Sequence, residues 1–123
     1  MPYSIQALKL GKHVLCEKPV ALNMKELKEL ESAAASSESF FYEAYMVRSH
    51  PQWAWLKELD IGEHQSSHFI FSYPDQPKGN IRNRKVDGGG PLYDIGCYAI
   101  LSGCMLFTGT PKVLSATAIM SDH

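Results

Sequence analysis

Two places in the chain combine residue types that could move a proton or hold a small polar substrate. The first is Lys18, in the run His13-Val14-Leu15-Cys16-Glu17-Lys18-Pro19. Its four leading residues form a short apolar stretch, long enough for one buried strand of a parallel sheet, and Pro19 ends it because proline cannot donate to a ladder. Ligands of open α/β sheets bind beyond the carboxyl ends of the strands. A lysine held there can donate to a substrate hydroxyl and favour ionisation of a neighbouring acid. Taken alone it also reads as an ordinary surface lysine. The second place is Gly88-Gly89-Gly90-Pro91-Leu92-Tyr93-Asp94-Ile95-Gly96-Cys97-Tyr98. Three glycines allow unusual backbone conformations and the close approach of a ligand. Pro91 then opens a helix on which Asp94 and Tyr98, four apart, project from one face. A carboxylate and a phenol so placed suit hydroxyl binding and proton transfer. Equally, Asp94 could serve the helix dipole in the first turn and Tyr98 could be a half-buried packing residue.

The elements that must position these residues change character along the chain. Ile5, Leu8 and Leu10 with Gly11 predict the end of a helix and its C′ glycine. After the strand at 13–16, Asn23 and Glu26 form a variant capping box for a helix carrying Met24, Leu27, Leu30 and Ala34 on one face. Phe40-Phe41-Tyr42 is the next strand candidate. Helix, strand, helix, strand is the grammar of a parallel α/β sheet, entered here in mid-unit. Beyond Arg48 the pattern shifts. Pro51 starts a helix through Trp53, Leu56 and Leu59 that Gly62 ends, and Gln65–Tyr73 alternates as a longer strand. A polar loop follows from Pro74 to Gly90, then a helix from Pro91 to Phe107 and a strand from Lys112 to Met120. The boundary between two domain parts is expected near residues 44–50.

Composition excludes several classes. Of 123 residues, 45% are hydrophobic and 20% charged, and the formal net charge is -1, an ordinary globular balance without a basic stripe. Neither nucleic acid nor an anionic membrane surface is an expected partner. The apolar runs are far shorter than the roughly 20 residues of a membrane-spanning helix. Met1-Pro2-Tyr3-Ser4 does not open a charged and then apolar leader, so no signal peptide is expected. Cys16, Cys97 and Cys104 suit neither a disulfide framework nor a zinc site, and the histidines show no metal-ligand spacing. A reducing, cytoplasmic location is the expectation.

The run Ala7–Pro19 resembles the Glu-Lys-Pro signature of the Gfo/Idh/MocA oxidoreductases, the family of glucose–fructose oxidoreductase and inositol dehydrogenase. Glu43-Ala44-Tyr45-Met46-Val47-Arg48-Ser49-His50-Pro51 resembles the family's join between two domains, and Gly88–Tyr98 its glycine-rich stretch and catalytic helix. The resemblance implies an α/β architecture. Residues 1–46 would be the end of an NAD(P)-binding Rossmann domain, and 47–123 the start of a C-terminal α+β domain with a mostly antiparallel sheet. A Gly-x-Gly-x-x-Gly turn after a strand does not occur in the sequence, and Gly88–Gly90 is no substitute because no βαβ unit surrounds it. The chain therefore reads as a fragment.

By position, the resemblance makes Lys18 the catalytic, nicotinamide-proximal lysine and Asp94 the carboxylate that orients substrate. Tyr98 stands where many members have histidine, a departure shared with the glucose–fructose oxidoreductase-like and dihydrodiol dehydrogenase-like branches. Glu17, Lys18, Pro19 and Arg48 fall on the cofactor side. Asn80 and Arg82, in Asn80-Ile81-Arg82-Asn83, fall near the substrate pocket. The implied reaction is hydride transfer between a sugar or polyol hydroxyl and NADP or NAD. Tyr98 would be the base assisted by Lys18, or Lys18 itself the proton carrier. A homo-oligomer through the C-terminal sheet is expected. A catalytically silent binding protein of the same fold and a dihydrodiol dehydrogenase-like enzyme are the alternatives.

Overall fold

The computed structural model describes residues 1–119. It forms two compact units, Met1–Ser49 and the chain from His50 onward.

The first unit runs α1 (Pro2–Lys9), β1 (Val14–Glu17), α2 (Met24–Ala35) and β2 (Phe41–Ala44). Proline in the first turn of α1 loses no helical hydrogen bond, because those N–H groups have no intrahelical acceptor. Its C-terminus closes as the glycine foretold. Gly11 sits at φ +69°, and the amides of Gly11 and Lys12 return to the carbonyls of Leu8 and Ala7 at 2.9 and 3.0 Å. That is a Schellman closure, which a side chain with a Cβ would strain. At the start of α2 the Asn23 Oδ1 accepts from the Glu26 N–H at 3.0 Å, while Glu26 Oε2 accepts from the Leu22 N–H at 3.0 Å. The capping box is therefore present with its return arm moved one residue upstream.

β1 and β2 pair in parallel, with Val14 opposite Phe41, Leu15 opposite Tyr42, Cys16 opposite Glu43 and Glu17 opposite Ala44. His13 prepares the ladder by accepting the Phe40 N–H on Nδ1 at 2.9 Å. α1 and α2 pack on each other through Leu8 and Leu30, the two most completely buried side chains. Met24, expected on the apolar face of α2, is instead exposed at the start of the helix, and the crossover between the strands is the α2 segment, as a parallel pair requires.

In the second unit, α3 (Gln52–Glu58) buries Trp53 and ends at an extended Leu59, one turn earlier than Gly62 would have placed it. The expected strand at Gln65–Tyr73 does not form, nor does one at 112–119; Met120 lies outside the described residues. The mostly antiparallel sheet implied for this part is therefore not found: among the described residues the β1–β2 pair is the sheet of the molecule. An oligomer face on such a sheet loses its basis with it. The physical reason is that alternation fixes which side chains share a face, whereas a strand also needs a neighbour for its N–H and C=O groups. The alternation itself is used. Phe71 meets Tyr98 with ring centroids 5.9 Å apart, and a methyl built on Gly103 would stand 3.9 Å from the Phe69 ring. Ile70, between them, is 94% exposed.

The helix expected from Pro91 to Phe107 is present in two forms. Leu92–Gly96 is a π-helical turn, and α4 (Cys97–Leu106) continues from it. A π turn holds an extra residue per turn, so the simple four-residue rule relating Asp94 to Tyr98 does not carry over. Among the described residues, no helix is long and apolar enough to cross a membrane.

Candidate functional site

In the first unit the parallel register sends both strands out at one edge of the sheet. Glu17 ends β1 beside Ala44, which ends β2, so Lys18 and the turn Met46–Ser49 leave from the same carboxyl edge. Ligand sites of open parallel sheets lie at this edge. The Lys18–Pro19 peptide is cis. Val20 N–H donates to Glu43 Oε1 at 3.1 Å, tying the segment after Lys18 to the neighbouring strand. Arg48, expected on the cofactor side, lies with its guanidinium carbon 5.7 Å from the centre of the Tyr42 ring, within cation–π range. A concavity of about 1100 Å³ lies elsewhere in this unit, between α1 and α2, and includes none of the expected site residues.

The second unit builds its polar cluster from the loop upward. Asn80 Oδ1 accepts the Arg82 N–H at 2.9 Å, which starts the tight turn Ile81–Asn83. Asn83 Nδ2 donates to the Gln76 carbonyl at 2.9 Å and so anchors that turn to the preceding loop. A second turn, Lys85–Asp87, leads into the glycines. Gly88 and Gly90 sit at φ +76° and +110°, where other residues are strained. Gly89 is needed for room: a Cβ there would stand 2.6 Å from the Ile81 carbonyl oxygen and 2.8 Å from the Arg84 nitrogen. The close approach foreseen for a ligand is made here by the chain's own turn.

That approach sets the chemistry. Gly90 N–H donates to the Arg82 carbonyl at 2.8 Å, while its own carbonyl accepts the Asp94 N–H at 3.2 Å. The two side chains then meet, Arg82 Nε to Asp94 Oδ2 at 2.7 Å, with Asp94 only 18% exposed and Arg82 44%. A guanidinium at this distance makes a charge-assisted hydrogen bond to the carboxyl. The pairing fixes the orientation of the Asp94 carboxyl. Tyr98, on the first turn of α4, is half-buried and tilted against Phe71. Cys97 turns its Sγ back to the Tyr93 carbonyl at 3.2 Å, a packing role. Among the described residues, no group of three or more His, Cys, Asp or Glu could hold a metal ion.

Comparison with known proteins matches both parts of the chain. A family model described as "Oxidoreductase family, NAD-binding Rossmann fold" matches residues 1–45, and "GFO/IDH/MocA C-terminal domain" matches residues 53–123. The chain belongs to the Gfo/Idh/MocA family of oxidoreductases.

Its Gfo/Idh/MocA relatives include an uncharacterised oxidoreductase of Rhizobium meliloti, 36% identical over 94% of this chain and 36% of its own length. A trans-1,2-dihydrobenzene-1,2-diol dehydrogenase of Xenopus laevis is 32% identical over 96% of this chain and 37% of its own. A D-xylose 1-dehydrogenase (NADP(+)) of Haloferax volcanii is 36% identical over 87% and 34%. The chain thus spans about a third of the length of these relatives. No solved structure is significantly similar.

The Rossmann match covers Lys18 and Glu43, and the C-terminal match covers Arg82, Asp94 and Tyr98. Sequence reasoning singled out Asp94 and Arg82 separately but missed their pairing, and it missed Glu43 as an anchor. The available signal for Glu43 was a lone acid inside the apolar strand run Phe40-Phe41-Tyr42-Glu43-Ala44.

Proposed function

We propose that this chain carries the proton-handling residues of an NAD(P)-dependent dehydrogenase that oxidises a hydroxyl of a sugar or related polyol. The observation that carries the reading is the Asp94 carboxyl, mostly buried yet held by Arg82 on a turn seated against the glycine run. Such a carboxyl suits a substrate rich in hydroxyl groups, because it accepts hydrogen bonds and donates none when ionised.

Tyr98 is assigned as the base that takes the hydroxyl proton, and Lys18 as a second proton-handling group, at the carboxyl edge of β1. Asp94 orients a neighbouring hydroxyl, with Asn80 and Arg82 shaping the loop around it. The nicotinamide end of the cofactor belongs at the carboxyl edge of β1 and β2, with Glu17, Lys18, Pro19 and Arg48, since that edge fits a ligand of parallel sheets. A nicotinamide held by these residues would supply the hydride acceptor. The chain's own residues place the hydroxyl and remove its proton, contributions for which a general base supplies on the order of 10²–10⁴-fold.

The names of the relatives support an aldose or a ring-borne diol as substrate class, and NADP as a cofactor at least in the xylose enzyme. A test uses the full-length protein carrying this chain, with D-xylose and other aldoses, trans-1,2-dihydrobenzene-1,2-diol, and each of NADP⁺ and NAD⁺. Nicotinamide reduction with an aldose is the expected result. Turnover of the dihydrodiol alone would move the substrate class, and reduction with none of these alcohols would overturn the reading.

A further inference from the structure

We infer that Glu43 is a positioning residue for Lys18, acting through the main chain; this rests on the catalytic role proposed for that lysine. Lys18 stands between two anchors. On one side Glu17 is held in the ladder opposite Ala44. On the other, Pro19 has no N–H, so the first main-chain donor after Lys18 is Val20. That donor is taken by Glu43 Oε1 at 3.1 Å, across 23 residues of sequence.

Glu43 is itself fixed on both flanks. Its backbone lies opposite Cys16 in β2, and its carbonyl accepts the Tyr45 N–H at 2.9 Å. The register therefore puts a carboxyl, two residues upstream of Lys18 on the neighbouring strand, in reach of the segment just past Lys18. An acidic side chain in a short strand of otherwise apolar residues is unfavourable for strand formation and burial. A hydrogen bond that closes the turn after Lys18 gives it a function. The strand end and the bond to Val20 leave two residues between fixed points, so the Lys18 main chain has little freedom to drift. Displacement of a reacting group by about 1 Å can cost on the order of 10²-fold in rate.

The experiment is a double-mutant cycle in the full-length protein, reading kcat for aldose oxidation. Glu43→Ala is expected to lower kcat by about 10- to 100-fold. Glu43→Gln, whose amide oxygen still accepts from Val20, is expected to stay within about threefold of the parent. In the Lys18→Ala background, Glu43→Ala is expected to cost less than about twofold more, because a residue acting through Lys18 has nothing left to position. Should Glu43→Ala not accumulate in folded form, Glu43→Asp replaces it in the same cycle: it keeps the charge but falls one methylene short of Val20. An equal loss in both backgrounds, or a Gln variant as damaged as the Ala variant, overturns the inference while leaving the role of Lys18 standing. Parental kcat in Lys18→Ala alone overturns that role and this inference together.

Discussion

Arg82 and Asp94 are twelve residues apart, and their side chains meet at 2.7 Å because Gly90 bonds to both of their backbones. The ion pair is a product of the glycine run, and the run is explained by it. Arg82 is 44% exposed, so the pair contributes at most about 1 kcal/mol to stability. Its proposed role is to orient Asp94.

Arg82→Ala is accordingly expected to lower kcat/KM for the alcohol by about 10- to 100-fold while leaving the melting temperature nearly unchanged. Arg82→Lys is expected to recover little, because an ammonium does not reproduce the planar Nε–H donor that meets Oδ2. Steady-state kinetics with varied alcohol and saturating cofactor reads both.

Gly89→Ala tests the seat of the turn. Its Cβ would meet three backbone atoms at 2.6 to 2.8 Å, none of which belongs to a side chain able to rotate away. Overpacking of this kind costs about 1–3 kcal/mol. Denaturant unfolding is expected to show that loss together with reduced activity, whereas Gly79→Ala, with open space around its Cβ, is expected to change neither.

Asn23→Ala separates folding from chemistry. It deletes the acceptor for the Glu26 N–H at the start of α2, for which about 1 kcal/mol is the usual cost. The expected outcome is a lower unfolding midpoint with unchanged kcat, since α2 carries none of the groups assigned to catalysis.

The sequence disclosed local devices well and distant partnerships poorly. Gly11 and the Asn23–Glu26 box were legible because each acts within one helix turn, where residue type and spacing decide the outcome. The parallel strand pair was legible from two short apolar runs separated by a helix. Gln65–Tyr73 misled because its period-two pattern serves packing of Phe69 and Phe71 against α4, without a strand partner. The π turn at Leu92–Gly96 has no spacing signature, and Asp94 was placed by a helical rule that its own backbone does not follow. The Arg82–Asp94 pair required knowing how three glycines fold back on a turn, which residue types alone permit but do not specify.

Tyr98 is proposed to take the proton when the hydride leaves the alcohol. The most direct test of this role is the single-turnover rate of nicotinamide reduction by an aldose in full-length Tyr98→Phe, followed across pH. The ring and its contact with Phe71 are kept, and only the hydroxyl is removed. A fall of about 10²- to 10⁴-fold with loss of the parental pH dependence is the predicted result. A near-parental rate with an unchanged pH profile would contradict it and transfer the role of base to Lys18.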